Sequence, residues 1–258
     1  MKSNRSPFLT TVTLVAASLL PLAAAEPNPN ADQLLRQMSA KLAAATSFTF
    51  QATRELDPGL VEGFTVPQRA NISVAVQRPD KIVARATSNL GVRRFIADGR
   101  TLTILDGRAN CYARVPMHTT LDGLVDQLDA KFGFTPPLAE FALSNPYKEF
   151  HRQAHSVSYL GRAKTKAGFL GLSGDECHRI ALKGKEADAE LWLAVSDQLP
   201  RKLTATFHRP GQPQVRITFS KWNLAAPVNP AEFTFSPPHG SQQIEMWTTA
   251  KMQAASKH

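Results

Sequence analysis

The chain has 258 residues, of which 43% are apolar, 20% charged and 8% aromatic, with 14 Gly and 18 Pro. This is ordinary globular composition, which excludes a disordered tail or a collagen-like fibre. The formal charge of +9 favours anionic partners such as lipid headgroups, and no recognition motif points to nucleic acid.

Lys2 and Arg5 precede the uncharged run Phe8 to Leu20, after which come Pro21 and the small residues Ala23-Ala24-Ala25. A basic start, a short apolar middle and an A-x-A end compose a secretory signal peptide, expected to span residues 1–25. The run is shorter than the roughly 20 residues that a membrane anchor requires. Cleavage near Ala25 would leave an exported, periplasmic chain beginning near Glu26, with a formal charge of +7 once Lys2 and Arg5 are removed from the +9. No later stretch reads as a transmembrane segment. The only cysteines, Cys111 and Cys177, lie far apart in the strand order below and are expected to be buried and unpaired, although an oxidising compartment permits a bridge.

From Asp32 to Ala45 the apolar residues Leu34, Leu35, Met38 and Leu42 recur at spacings of three and four, which predicts an amphipathic helix. The period then falls to two. Phe48 and Phe50 alternate with polar neighbours, as do Ile72, Val74 and Val76; Arg78-Pro79-Asp80 turns the chain into Lys81-Ile82-Val83. Asp98-Gly99 between two such runs marks a hairpin, and Asp106-Gly107 marks the next turn before Cys111 to Val115.

Thr119 to Lys131 carries Leu121, Leu124, Val125 and Leu128 at helical spacing, and Leu138 to Leu143 follows Pro136-Pro137 as a second short helix. Strands resume at Ser156–Gly161, Glu176–Leu182, Glu190–Val195, Arg201–Phe207 and Gln214–Phe219. Phe233-Thr234-Phe235 offers a sixth before Ser236-Pro237-Pro238, and residues 246–258 form a polar tail. The expected architecture is mainly β, a curved antiparallel meander over residues 26–245 in one domain, with the helical segments plugging its concave face.

Several segments carry a resemblance: Arg78-Pro79-Asp80-Lys81, Arg94-Phe95-Ile96-Ala97-Asp98-Gly99-Arg100-Thr101-Leu102-Thr103, Asn145-Pro146-Tyr147, Leu199-Pro200-Arg201-Lys202-Leu203 and Phe233-Thr234-Phe235-Ser236-Pro237-Pro238. Through these the chain from about Leu34 to Gln243 resembles the bacterial family called domain of unknown function 2092, of predicted periplasmic proteins. That family is similar to the lipoprotein-carrier (LolA/LolB-like) superfamily. The resemblance implies an antiparallel half-barrel of about eleven strands with a helical lid over an apolar cavity. It also implies acyl chains or lipoproteins as ligands, without a motif that fixes one. Cys111 departs from the pattern, since an aromatic is more usual there, whereas Cys177 fits it.

Catalytic chemistry finds little support. Gly171-Leu172-Ser173-Gly174 has the wrong spacing for a nucleophile elbow and reads as a turn. Cys177 and His178 are neighbours, so on a strand their side chains point to opposite faces. Glu149, His151 and His155 could share part of a metal site, but nothing completes a tetrahedral set; they read as solvated residues of a loop or frayed helix. No motif demands a cofactor. Arg93, Arg94, Arg100, Arg108 and Arg114 crowd one hairpin region, either as a solvated strand face or as a rim that meets an anionic headgroup.

The expectation is a non-catalytic periplasmic protein that holds a lipid or lipoprotein acyl chain. Phe50, Val74, Ile104, Leu193, Phe207 and Phe219 are expected on the cavity wall, and Leu121, Leu124, Val125 and Leu128 on the lid. The alternative is an envelope scaffold or sensor that binds another protein and has a filled core.

Overall fold

The computed structural model describes residues 29–61, 63–134, 136, 138–165 and 174–255. The expected signal peptide and the Gly171-Leu172-Ser173 turn lie outside the described residues.

Helix α1 (Ala31–Ala44) starts at Asn30, whose Oδ1 accepts from the backbone N–H of Asp32 at 2.9 Å and of Gln33 at 3.3 Å. Its apolar stripe, Leu34, Leu35, Met38 and Leu42, is buried. Six strands follow: β1 (Ser47–Leu56), β2 (Gln68–Gln77), β3 (Lys81–Ser88), β4 (Gly91–Asp98), β5 (Thr101–Asp106) and β6 (Cys111–Pro116). The β4–β5 hairpin turns as expected at Asp98-Gly99. Asp98 Oδ1 accepts from the N–H groups of Arg100 and Thr101, and Gly99 has φ +86° with Asp80 pressed where a Cβ would stand.

The chain then leaves the sheet. Helix α2 (Leu121–Phe132) is capped by Thr120 and ended by Gly133, at φ +60°. A single 3₁₀ turn (Ala139–Phe141) stands where the sequence predicts a short helix, and α3 (Pro146–Gln153) follows behind an Asn145 cap. The sequence predicts no more than a loop or frayed helix around Glu149 and His151, since Phe150 is the main apolar residue that α3 buries. Strands β7 (Ala154–Lys164), β8 (Glu176–Gly184), β9 (Ala187–Ala194), β10 (Pro200–Phe207) and β11 (Gln214–Asn223) complete the second run.

Among the described residues the strands form one twelve-stranded sheet, ordered β12-β6-β5-β4-β3-β2-β1-β11-β10-β9-β8-β7. Each run is an antiparallel meander, and the two join through β1 and β11. The last member, β12 (Gln242–Ile244), corrects the sequence reading twice. It pairs with β6 in parallel, and Phe233, expected on a closing strand, instead ends a 3₁₀ turn (Pro230–Phe233) with its ring buried. Three polar or lone apolar residues carry no alternation by which such an edge strand could be read. Within the expected polar tail, Thr249–Ala255 forms α4, where Thr249 Oγ1 donates to Lys131 O at 3.3 Å.

The protein is therefore mainly β, an open curved antiparallel sheet with a few helices on its concave side. Register fixes what that side presents. One transverse row runs Phe50, Val74, Ala84, Phe95, Ile104 and Ala113 across β1 to β6. The next runs Ala52, Ile72, Ala86, Arg93, Asp106 and Cys111. In the other run Ile217, Leu203, Leu191 and Ile180 stand abreast, the last two fully buried.

Candidate ligand cavity

The small side chains of β3 decide where space remains. Ala84 and Ala86 sit in the middle of the β1–β6 half, between Ile72 and Val74 on one strand and Phe95 on the other. Over them α2 lowers Leu121, Leu124 and Val125, and the following segment adds Phe134, Leu138 and Leu143. The roof does not fill the dip, and an apolar cavity of about 310 Å³ lies between. That volume is at the small end of ligand pockets, roughly 300–1,000 Å³.

Of the residues expected around a cavity, Val74 and Ile104 line its floor, and Leu121, Leu124 and Val125 its roof. The rest stand elsewhere. Leu128 is fully buried in the core beneath α2, one turn past the opening. Phe50 and Phe219 belong to an aromatic cluster with Trp222 and Phe141: Phe50 stacks on Trp222 at 4.4 Å between ring centroids, and Phe141 meets Phe219 edge-on at 5.0 Å. Leu193 is fully buried in the filled half, and Phe207, the last residue of β10, is half-buried with Arg209 over its ring. Alternation shows which face a residue occupies but not whether a neighbour fills the space before it.

Arg78, at the β2–β3 turn, ties the roof down. Its Nη1 donates to Ala142 O at 2.7 Å and its Nη2 to Leu143 O at 2.8 Å, while Nε reaches Ala45 O at 3.2 Å. One guanidinium thus joins the end of α1, the sheet and the roof through carbonyls alone, and burial pulls its pKa below the usual guanidinium range. Within the roof itself, the Asp122 carboxylate of α2 accepts from the Ser144 N–H at 3.0 Å and hydroxyl at 3.1 Å, joining the helix to the segment after the 3₁₀ turn. Glu140, in the 3₁₀ turn, has part of its surface open but its carboxyl packed among protein atoms. Burial, with a smaller push from Glu149, raises its pKa to about 7.

Residues expected to be chemically quiet have clear structural employment. Both cysteines are free; Cys177 on β8 is buried as expected, but Cys111, near the sheet edge on β6, is only half-buried. Burial pushes the Cys177 thiol up to about 11, and Nδ1 of the buried His178 lies 3.0 Å from Tyr159 Oη. His151 is not solvated as expected: its Nε2 meets Asp32 Oδ1 at 2.8 Å, and its ring packs on Tyr147. Helix α3 ends before His155, so the two histidines do not share a helical face, and Glu149 is taken by Arg152 at 2.6 Å. Among the described residues no group of three or more His, Cys, Asp or Glu is placed to hold a metal ion, and no helix is long and apolar enough to cross a membrane.

A family model described as predicted periplasmic protein (DUF2092) matches residues 31–247, from the first turn of α1 to just before α4. The chain belongs to this family. DUF2092 places it in the periplasm, as the expected leader does. Comparison with curated proteins gives no match. Among solved structures, the chain is similar to a LolA superfamily protein from Nitrosomonas europaea at 11% identity, over 80% of this chain and 97% of that one, with a TM-score of 0.38. It is similar to LprF from Mycobacterium bovis at 14% identity, over 83% of this chain and all of the other (100%), with a TM-score of 0.41. A chain of the Pseudomonas aeruginosa MucA/MucB complex gives 16% identity over 80% of this chain and 61% of its own length, with a TM-score of 0.42. This DUF2092 chain spans about 60% of the MucB-complex chains that it matches.

One element of the site was missed from sequence. Arg54 lines the cavity from β1, half-buried. Its sequence neighbours Thr53 and Glu55 give it the look of a solvated strand end. The period-two pattern running from Phe50 through Ala52 to Arg54 is the signal that places it on the apolar face.

Proposed function

We propose that this DUF2092 protein is a non-catalytic periplasmic binding protein that holds a hydrophobic ligand, an acyl chain of a lipid or lipoprotein, under the α2 roof. The observation that carries this reading is the apolar cavity of about 310 Å³ between strands β2–β5 and the α2 roof. A filled core, which the scaffold alternative requires, describes the β7–β11 half but not this one. Val74, Ile104, Leu121, Leu124 and Val125 form the binding surface. Binding draws on burial of chain methylenes, each contributing about 0.8 kcal/mol, against the entropy of immobilising the chain.

The roof is the natural door. Arg78 and the Leu121 N–H bond to Pro79 O hold it to the β2–β3 turn, with no continuous ladder of sheet bonds, and the Asp122–Ser144 bonds join its own parts, so it can lift as a unit while the strands stay paired. Native mass spectrometry of protein purified from a periplasm tests the reading. A co-purifying lipid, or uptake of an offered fatty acyl probe, supports it. An unliganded mass that does not change with any acyl probe overturns it.

A further inference from the structure

The cavity has a cationic end. Arg54 of β1 and Arg93 of β4 line it there, together with Ala86 between them. The same three residues form one wall of a second, smaller hollow of about 170 Å³, which also touches Phe64, Gln68 and Arg108. The two spaces therefore meet at a gate whose charged groups are both arginines.

Arg54 is poorly provided for. Its Nε is buried with no hydrogen-bond partner. Among the described residues no carboxylate is paired with it, and the like charge of Arg93 acts on it. The carboxylates in sequence reach are otherwise engaged, because Glu55 and Asp57 both hold Arg216, at 3.0 and 2.7 Å. Arg93 pairs with Asp106 at 3.0 Å, but the arginine side chain is 69% exposed, so that pair holds it weakly. A guanidinium removed from water without an anion is costly, and an anion able to accept several N–H bonds from the fork relieves that cost. Gln68, on the far wall, has a buried Oε1 without a partner and can accept from a headgroup hydroxyl.

We propose that the ligand is a single-chain anionic amphiphile, with its acyl chain in the larger cavity and its charged head between Arg54 and Arg93, within reach of Arg108. This rests on the binding reading above and adds the chemistry of the head. The small volume under the roof suits one chain, and the arginine gate sets the direction in which it lies.

The test compares three probes of one chain length by isothermal titration below their micelle concentrations: laurate, lauroyl lysophosphatidylglycerol and dodecanol. The expected result is that at least one anionic probe binds about tenfold or more tightly than dodecanol, as charge-assisted hydrogen bonds require. Which anionic probe binds tighter tells a free fatty acid from a phospholipid. Arg54→Met is expected to abolish the anionic preference, read as the ratio of anionic-probe to dodecanol affinity in the same variant. Arg93→Gln, at an exposed position, serves as a second variant and is expected to narrow the preference in the same sense. Equal binding of all three probes to the unaltered protein, or a preference that survives Arg54→Met, overturns the anionic-head proposal and leaves the cavity reading standing. If none of the three binds, the cavity reading itself fails.

Discussion

Strands β2–β5 and strands β8–β10 both turn alternate apolar residues toward the concave face, yet the first group encloses a cavity and the second does not. In the β8–β10 group Ile180, Leu191 and Leu193 are fully buried, and α1 and α3 lie over the neighbouring β7. In the β2–β5 group the corresponding central positions are Ala84 and Ala86, and the roof spans them instead of descending. The same binary pattern therefore serves two ends. Residue size at a few inward positions separates a core from a container, since interiors are otherwise close-packed.

That contrast can be tested by exchanging the character of the two halves. Leu191→Ala should open a void where none exists and cost about 3–5 kcal/mol, seen as a lower urea midpoint. Arg78→Met should cost about 2–4 kcal/mol by leaving the carbonyls of Ala45, Ala142 and Leu143 without their donor. Its loss should also speed amide exchange in α2 and the 3₁₀ turn relative to β8–β10. An exchange pattern unchanged in the roof would break the claim that Arg78 holds it.

Glu140 supplies a smaller effect with a definite sign. Its folded pKa of about 7 lies above the ordinary 4.5, so the neutral acid is the form that the closed roof favours. Its contribution is complete below about pH 4.5 and is lost as pH rises through about 7, on the order of 1 kcal/mol given its partial exposure. Burial lowers the pKa of His178, which works in the opposite direction as pH falls. The measurement is therefore the difference between the unaltered protein and Glu140→Gln across about pH 5–8. Glu140→Gln should flatten the alkaline loss, and identical pH profiles would refute the assignment.

A similarly small change in stability should carry the largest change in binding. Ala84→Leu fills part of the cavity without overpacking it and should raise stability by about 0.5–2 kcal/mol. It should also abolish uptake of an acyl probe that the unaltered protein accepts. A loss of stability there would mean that the space is smaller than the structure gives.

Much of this fold is legible in the residues. The Leu34, Leu35, Met38, Leu42 stripe specifies α1, and paired alternating runs around Asp98-Gly99 specify a hairpin. The meander interrupted by helices follows from element order. What eludes sequence is whatever depends on which strand lies beside which. The hollow exists only once register sets Ala84 abreast of Val74 and Phe95, and Ala86 abreast of Ile72 and Arg93. The same limit explains why Phe50, Leu193, Phe207 and Phe219 share the inward pattern with Val74 and Ile104 but do not face the cavity. The parallel edge strand β12 and the short, mostly polar α3 likewise owe their form to what they lie against.

The joining of the two meanders through β1 and β11 bears on how the molecule is assembled. β1 finds β2 close by in the sequence, with Ala52 beside Ile72, but on its other border Ala52 must wait for Phe219. A chain delivered amino end first would have β1 to β6 paired while one border of β1 stood bare until nearly the last strand arrived. Unpaired strand borders recruit other strands, and contacts between distant parts of a chain form slowly. The late pairing of β1 with β11 is thus the step at which a half-formed sheet is open to misassociation along β1.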